Sequence, residues 1–314
     1  MIYPWQTAQW QQFKQQLNQQ RLPHAILMSG VEGLGQFALA EHMVAAVLCE
    51  NFTEHHCGQC HSCQLLAAGT HPEHSVIKPE EVGKQIKIEQ IRELKQKQTL
   101  TSTLSTWKTV IIEPADSMNI SAYNSLLKLL EEPQDNTLLI LISSHANKLP
   151  ITILSRCQNY VLQAPLEEQA LAWLKEQGQY EENELKQLLA LSSQAPLSVL
   201  AMFDSGGVDY LEQIDQDFKA MLTGEINPVV RAKDWQNFDL ELVFNYLQIL
   251  IKSSVIKQLE HDNKRIWTTY DCIINTIKLL SSSHNINKVL LIEQFMVSVM
   301  DSKTDKTRSF NSLF

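Results

Sequence analysis

The sequence predicts an α/β domain built on a parallel sheet, followed by an all-helical region. Three short runs, Ala25–Gly30, Thr109–Ile112 and Thr137–Ser144, are almost continuously apolar, and stretches with helical spacing separate them. Continuous apolar strands belong to sheets covered by helices on both faces. After Pro165 no convincing strand pattern returns.

In order, Trp10, Phe13 and Leu17 recur at spacings that suit one face of a helix. The first strand runs into a Gly-rich turn, and a helix over Phe37–Leu48 turns Phe37, Leu39, Met43, Val44 and Val47 largely inward. HSVIKP and QIKIE are expected as short strands and IEQIRELKQK as a helix. ISAYNSLLKLLEEP reads as a helix stopped by Pro133. Three short helices are expected between about 167 and 205, broken near Gly178 and at Ala195-Pro196. Gly206-Gly207 is a candidate hinge. Longer amphipathic helices fill the remainder, with a polar connection at SSSHNIN near residue 284 and a polar, frayed tail after Ser302. The divisions fall at 1–165, 166–207 and 208–314.

The chain has 314 residues, a net charge of −9 and 44% hydrophobic residues. It is long enough for two or three cores. The acidic balance argues against a protein that grips nucleic acid alone through a broad basic surface. No apolar run of about 18 residues suggests a membrane span. The start, MIYPWQTAQW, lacks a signal-peptide layout, so a cytoplasmic location is expected.

The Gly-rich turn is Gly30-Val31-Glu32-Gly33-Leu34-Gly35. A working P-loop continues with Lys and Ser or Thr, which neutralise phosphate and hold Mg²⁺. Here the next residues are Gln36 and Phe37. Neither can do that work, and Glu32 adds a negative charge. A Gly-rich turn alone is a weak signal. An active site of this kind also needs an acidic pair after a buried strand, for the metal and for water. WKTVIIEPAD supplies Glu113 and then Pro114, with Asp116 further along. Losses in both halves of one site are hard to reconcile with hydrolysis.

Cys49, Cys57, Cys60 and Cys63 offer four thiolates, enough to close a tetrahedral Zn²⁺ shell. The segment has too few apolar residues for a core, so a structural metal is the sensible staple. His55, His56 and His61 are competing ligands or solvated surface histidines.

Beyond the third strand stands Ser155-Arg156-Cys157, in LPITILSRCQ. Together with NSLLKLLEEP and the four-cysteine insert at 49–63, it resembles the bacterial clamp-loader AAA+ family, over residues 1 to about 165. The resemblance implies a P-loop-type AAA+ domain with a zinc-binding insert, a three-helix lid (166–207) and an all-α collar (208–314). It matches Ser155, Arg156 and Cys157 to a motif whose arginine reaches ATP on an adjacent subunit, and the four cysteines to zinc ligands. Gly30 and Gly35 match P-loop glycines, from which Gln36 and Phe37 depart. Leu197 stands where ATPase members carry a sensing arginine, and Ser143 and Ser144 where they carry a polar sensor, here read as strand-end caps. Asn124, Lys128, Glu131 and Glu132 are either a solvated helix face or a packing surface for a neighbour.

The implied function is a non-ATPase stator without a functional ATP site, within a DNA-directed DNA polymerase holoenzyme. Its partners would be gamma/tau-type ATPase subunits and a delta-type clamp-opening subunit, with the sliding clamp and primer-template DNA met through the complex. The alternatives are an active gamma/tau-type ATPase and, more remotely, a stand-alone zinc-ribbon DNA binder.

Overall fold

The computed structural model describes residues 2–81, 83–257, 264–282 and 287–301. The tail after Ser302 and residues 283–286 of the SSSHNIN connection lie outside the described residues. Two compact units emerge: Met1–Ala170 with Ala195–Ser198, and Leu171–Gln194 with Val199–Phe314.

The first unit holds a five-stranded, all-parallel sheet of β1 (Ala25–Ser29), β2 (His74–Ile77), β3 (Lys108–Ile112), β4 (Thr137–Ser143) and β5 (Gln158–Val161), in the order β2-β3-β4-β1-β5. β1 and β4 are buried along their whole length. Their side chains alternate between two covered faces, which is why the sequence reads as unbroken apolar runs. On one face Leu27, Val110, Ile112, Leu139 and Leu141 pack with Ile91 and Leu94 of α4 (Ile88–Thr99) and Leu126 and Leu130 of α5 (Ile120–Glu131). Ile26, Met28 and Ile140 alternate with these along the same strands. Trp10 and Phe13 of α1 (Thr7–Asn18) and Leu39 and Met43 of α2 (Gln36–Leu48) are also buried.

QIKIE is not a strand. Ile86 makes one isolated bridge to Met118, and Lys87 already caps α4, with its N–H donating to Gln90 Oε1 at 3.0 Å. The reverse error is β5, which the sequence left unassigned. Among its four residues only Tyr160 is fully buried, so the apolar signal is faint. Two short helices complete the unit's loops, α3 (His61–Ala67) and α6 (Ile151–Leu154).

The second unit is helical, and so is the stretch leading into it: α7 (Glu167–Gln177), α8 (Glu182–Leu191), α9 (Pro196–Asp204), α10 (Leu211–Thr223), α11 (Pro228–Trp235), α12 (Leu240–Lys257), α13 (Lys264–Ser282) and α14 (Lys288–Asp301). Its core gathers Phe218, Trp235, Phe244 and Phe295. The Trp235 indole N–H donates to Asp217 Oδ2 at 2.9 Å, and Arg231 pairs with Oδ1 at 3.2 Å. Both oxygens of a buried carboxylate are thereby engaged, as burial of a charge requires. Among the described residues no helix is long and apolar enough to cross a membrane.

Candidate functional site

The Gly-rich turn joins β1 to α2, with Gly33 and Gly35 in the left-handed region (φ +83° and +77°). In a phosphate-binding loop the groups that matter are backbone N–H donors turned towards a ligand. Here every carbonyl from Gly30 to Gly35 is engaged. The Gln36 amide folds back and donates to Gly30 O at 3.0 Å and Val31 O at 2.6 Å. Ser198 Oγ donates to Glu32 O at 3.1 Å, and the Leu197 N–H to Gly33 O at 3.2 Å. Trp5 Nε1 and Gln6 Nε2 both donate to Leu34 O, at 2.9 and 2.7 Å, and Gln6 also reaches Gly35 O at 2.8 Å. The loop is held by the chain's own donors, and Gln36, directly after Gly35, is buried.

The acidic half of the site is also occupied. Glu113 follows β3 and pairs with Lys78, which follows the adjacent β2, at 3.1 Å. The same ammonium lies 3.7 Å from the centre of the Phe37 ring. One cation is thus shared by Glu113 and the Phe37 ring. Asp116 is committed elsewhere, accepting from Ser143 Oγ at 2.5 Å and lying 3.6 Å from His145 Nδ1. Ser143 Oγ in turn accepts the His145 N–H at 3.1 Å, so this serine does cap the strand end.

Arg156 follows α6, and its Nη2 meets Glu131 Oε1 at the end of α5 at 2.8 Å. Nη1 donates to Thr152 O at 3.0 Å and to Ser155 Oγ at 3.3 Å. Ser155 is exposed, whereas Cys157 packs against the core and burial pushes its thiol up to about 11. The motif is therefore an anchored base with a guanidinium at the surface.

The four sulfurs of Cys49, Cys57, Cys60 and Cys63 lie within 4.8 Å of one another. Tetrahedral zinc–thiolate geometry needs about 3.8 Å between sulfurs. Backbone N–H groups of Cys57, Cys60 and Cys63 point at the sulfurs of Cys49, Cys57 and Cys60 respectively, at 3.2, 3.3 and 3.4 Å. The Gln59 and Cys60 backbone N–H groups hold the Cys57 thiol at about 6, while burial pushes Cys63 up to about 12. Thiols so crowded cannot all ionise together without a counter-charge, and a divalent cation supplies one. The residues therefore fit a metal ion. The neighbouring histidines stay outside the cluster: His55 and His61 are exposed, and His56 stacks edge-on against His42 at 5.0 Å.

The family model described as "DNA polymerase III, delta subunit" matches residues 5–165. A Pseudomonas aeruginosa protein named DNA polymerase III subunit delta' is 34% identical, over 94% of this chain and 96% of that one. This chain belongs to the delta-prime family of DNA polymerase III subunits. Delta' subunits of Haemophilus influenzae and Escherichia coli are each 32% identical, covering 69% and 64% of this chain and 66% and 60% of theirs.

For this member of the delta-prime family the sequence located the loop, the acidic strand, Arg156 and the cysteines, but not the groups that complete them. Lys78, Trp5, Gln6 and Ser198 meet the site through space, and of these Lys78 carried a sequence hint, as the cation directly after a strand; Glu131 was marked as a helix-face candidate, without its partner Arg156. Among the described residues Asn124, Lys128 and Glu132 make no side-chain bond in the site, while Glu131 pairs with Arg156.

Proposed function

We propose that this chain is a non-hydrolysing stator subunit of a DNA polymerase III clamp loader, helping to place the sliding clamp on primed DNA. The observation that carries this reading is the fate of the residue after Gly35: the Gln36 amide is buried and closes back onto Gly30 O and Val31 O, where a lysine would reach outward with a charge. In the same site the Lys78 ammonium stands where Glu113 and a P-loop hydroxyl would share a metal. A Mg·nucleotide would have to displace both. The alternative, an active gamma/tau-type ATPase, requires a lysine, a hydroxyl and a second acid where this chain has Gln36, Phe37 and Pro114.

Arg156 is proposed to serve an adjacent ATPase subunit's nucleotide. Its pair with Glu131 lies near the surface, and such pairs contribute about 0–1 kcal/mol. An arginine delivered to a transferring phosphoryl group is worth roughly 10³–10⁵-fold in rate. Exchange of one carboxylate for phosphate oxygens is thus inexpensive, and the planar fork suits both acceptors.

The remaining assignments follow the same reading. The chain divides into an AAA+ domain (1–165), a three-helix lid (166–207) and a helical collar (208–314). Cys49, Cys57, Cys60 and Cys63 hold a structural Zn²⁺. The partners are gamma/tau-type ATPase subunits and a delta-type subunit, with clamp and primer-template DNA met through the assembly, in the cytoplasm. Co-purification tests the assignment: the chain should enter a stable complex with those subunits, and failure to associate with any of them would refute it.

A further inference from the structure

Three buried polar side chains in the first unit take no part in the sites above. Ser62, His71 and Glu73 are 1%, 4% and 7% exposed, and groups so buried need partners. Ser62 lies on α3 between Cys60 and Cys63, and its N–H donates to Glu50 Oε1 at 3.3 Å. Its hydroxyl lies 2.9 Å from His71 Nε2. The other ring nitrogen, Nδ1, accepts the Glu73 N–H at 3.2 Å. An acceptor at Nδ1 places the ring proton on Nε2, so His71 donates to Ser62.

Glu73 continues the chain of contacts. Its Oε1 accepts from Thr103 N–H, Thr103 Oγ1 and Leu104 N–H at 2.7, 2.9 and 3.3 Å. Its backbone carbonyl accepts the Thr109 N–H of β3 at 2.8 Å. A continuous bonded path therefore runs from the helix bearing Cys63 to the edge of the parallel sheet.

A serine, a histidine and a glutamate in contact invite comparison with a nucleophile and its base. The direction of the bond argues otherwise, because a ring that donates to the hydroxyl cannot take its proton. Burial also closes the hydroxyl to a substrate.

We propose that Ser62, His71 and Glu73 position the cysteine cluster, fixing α3 against the sheet edge so that metal binding and the order of residues 73–77 and 103–109 are coupled. Groups bonded directly to metal ligands typically cost about 10–100-fold in affinity when lost; these three act one step back, through the backbone that carries Cys60 and Cys63, so a smaller loss is expected. The inference rests on the metal reading of the four cysteines.

The test is a zinc titration of the full chain against a chromophoric chelator, on the native protein, His71→Phe and His71→Gln. His71→Phe should bind zinc several-fold more weakly, and His71→Gln, which keeps a donor and an acceptor, should recover most of the loss. Hydrogen exchange on the native chain supplies a second arm that needs no variant. Stripping zinc should raise exchange in 73–77 and 103–109 as well as in 49–67. Unchanged zinc affinity in His71→Phe, or exchange confined to 49–67, would overturn the coupling alone. Absence of zinc binding by the native chain would instead remove the metal reading itself.

Discussion

Arg156 Nη2 lies 2.8 Å from Glu131 Oε1, so a surface arginine after α6 is held in place by the last residue of the helix before β4. Because that pair is weak, removing either partner should leave the fold intact. Arg156→Ala should assemble normally yet lower DNA-stimulated ATP turnover of a reconstituted loader at least several-fold. Glu131→Gln should assemble and retain most of the turnover. Steady-state hydrolysis by the complex measures both, and unchanged turnover with Arg156→Ala would refute the role in trans.

Gly33 offers a stability prediction. A Cβ built there would sit 2.0 Å from Ser198 Oγ, on a backbone at φ +83° that side chains rarely adopt. Gly33→Ala should destabilise the chain by about 1–3 kcal/mol, read from thermal unfolding. A melting curve superimposable on the native one would mean that the loop and Ser198 are not held as described.

Metal analysis of the purified chain should find about one zinc per molecule. Cys60→Ser should lose the metal and unfold at lower temperature, because Cys60 both supplies a thiolate and accepts the Cys63 N–H at 3.4 Å. Freely titratable thiols in a well-folded, metal-free native chain would contradict a closed four-thiolate site.

The histidines predict an acid sensitivity. Burial depresses His74, whose Nδ1 lies 2.9 Å from Thr109 Oγ1, to about 4, and burial with a neighbouring His56 does the same to His42. Both rings favour the neutral form in the folded chain. Their stabilising share is complete above the ordinary histidine value near 6.5 and is lost as pH falls from there towards 4. Each adds a slope of at most about 1.4 kcal/mol per pH unit. Urea unfolding between pH 7 and 4.5 should show this loss, and His74→Gln should flatten part of it; an equal slope in the variant would count against the assignment.

Much of this was legible in the chain. β1, β3 and β4 announce themselves because both faces are covered, leaving no polar alternation to confuse the reading. β5 did not, since only Tyr160 of its residues is fully buried. QIKIE misled because Ile86 and Ile88 alternate like a strand, whereas a helix cap intervenes at Lys87. In the site, residue types revealed what was missing: a lysine, a hydroxyl and an acid. They could not reveal what took their place. Lys78 is 35 residues from Glu113, and Ser198 is 166 from Glu32; the first link is made by strand adjacency and the second by a segment returning from far along the chain.

A stator of the proposed kind has surrendered its own nucleotide site while keeping an arginine for a neighbour's, and titration of the isolated chain with Mg·ATP, followed by a turnover assay, separates it from an active ATPase. No saturable binding in the micromolar range and no hydrolysis are expected. Micromolar affinity with Mg²⁺-dependent turnover would contradict it.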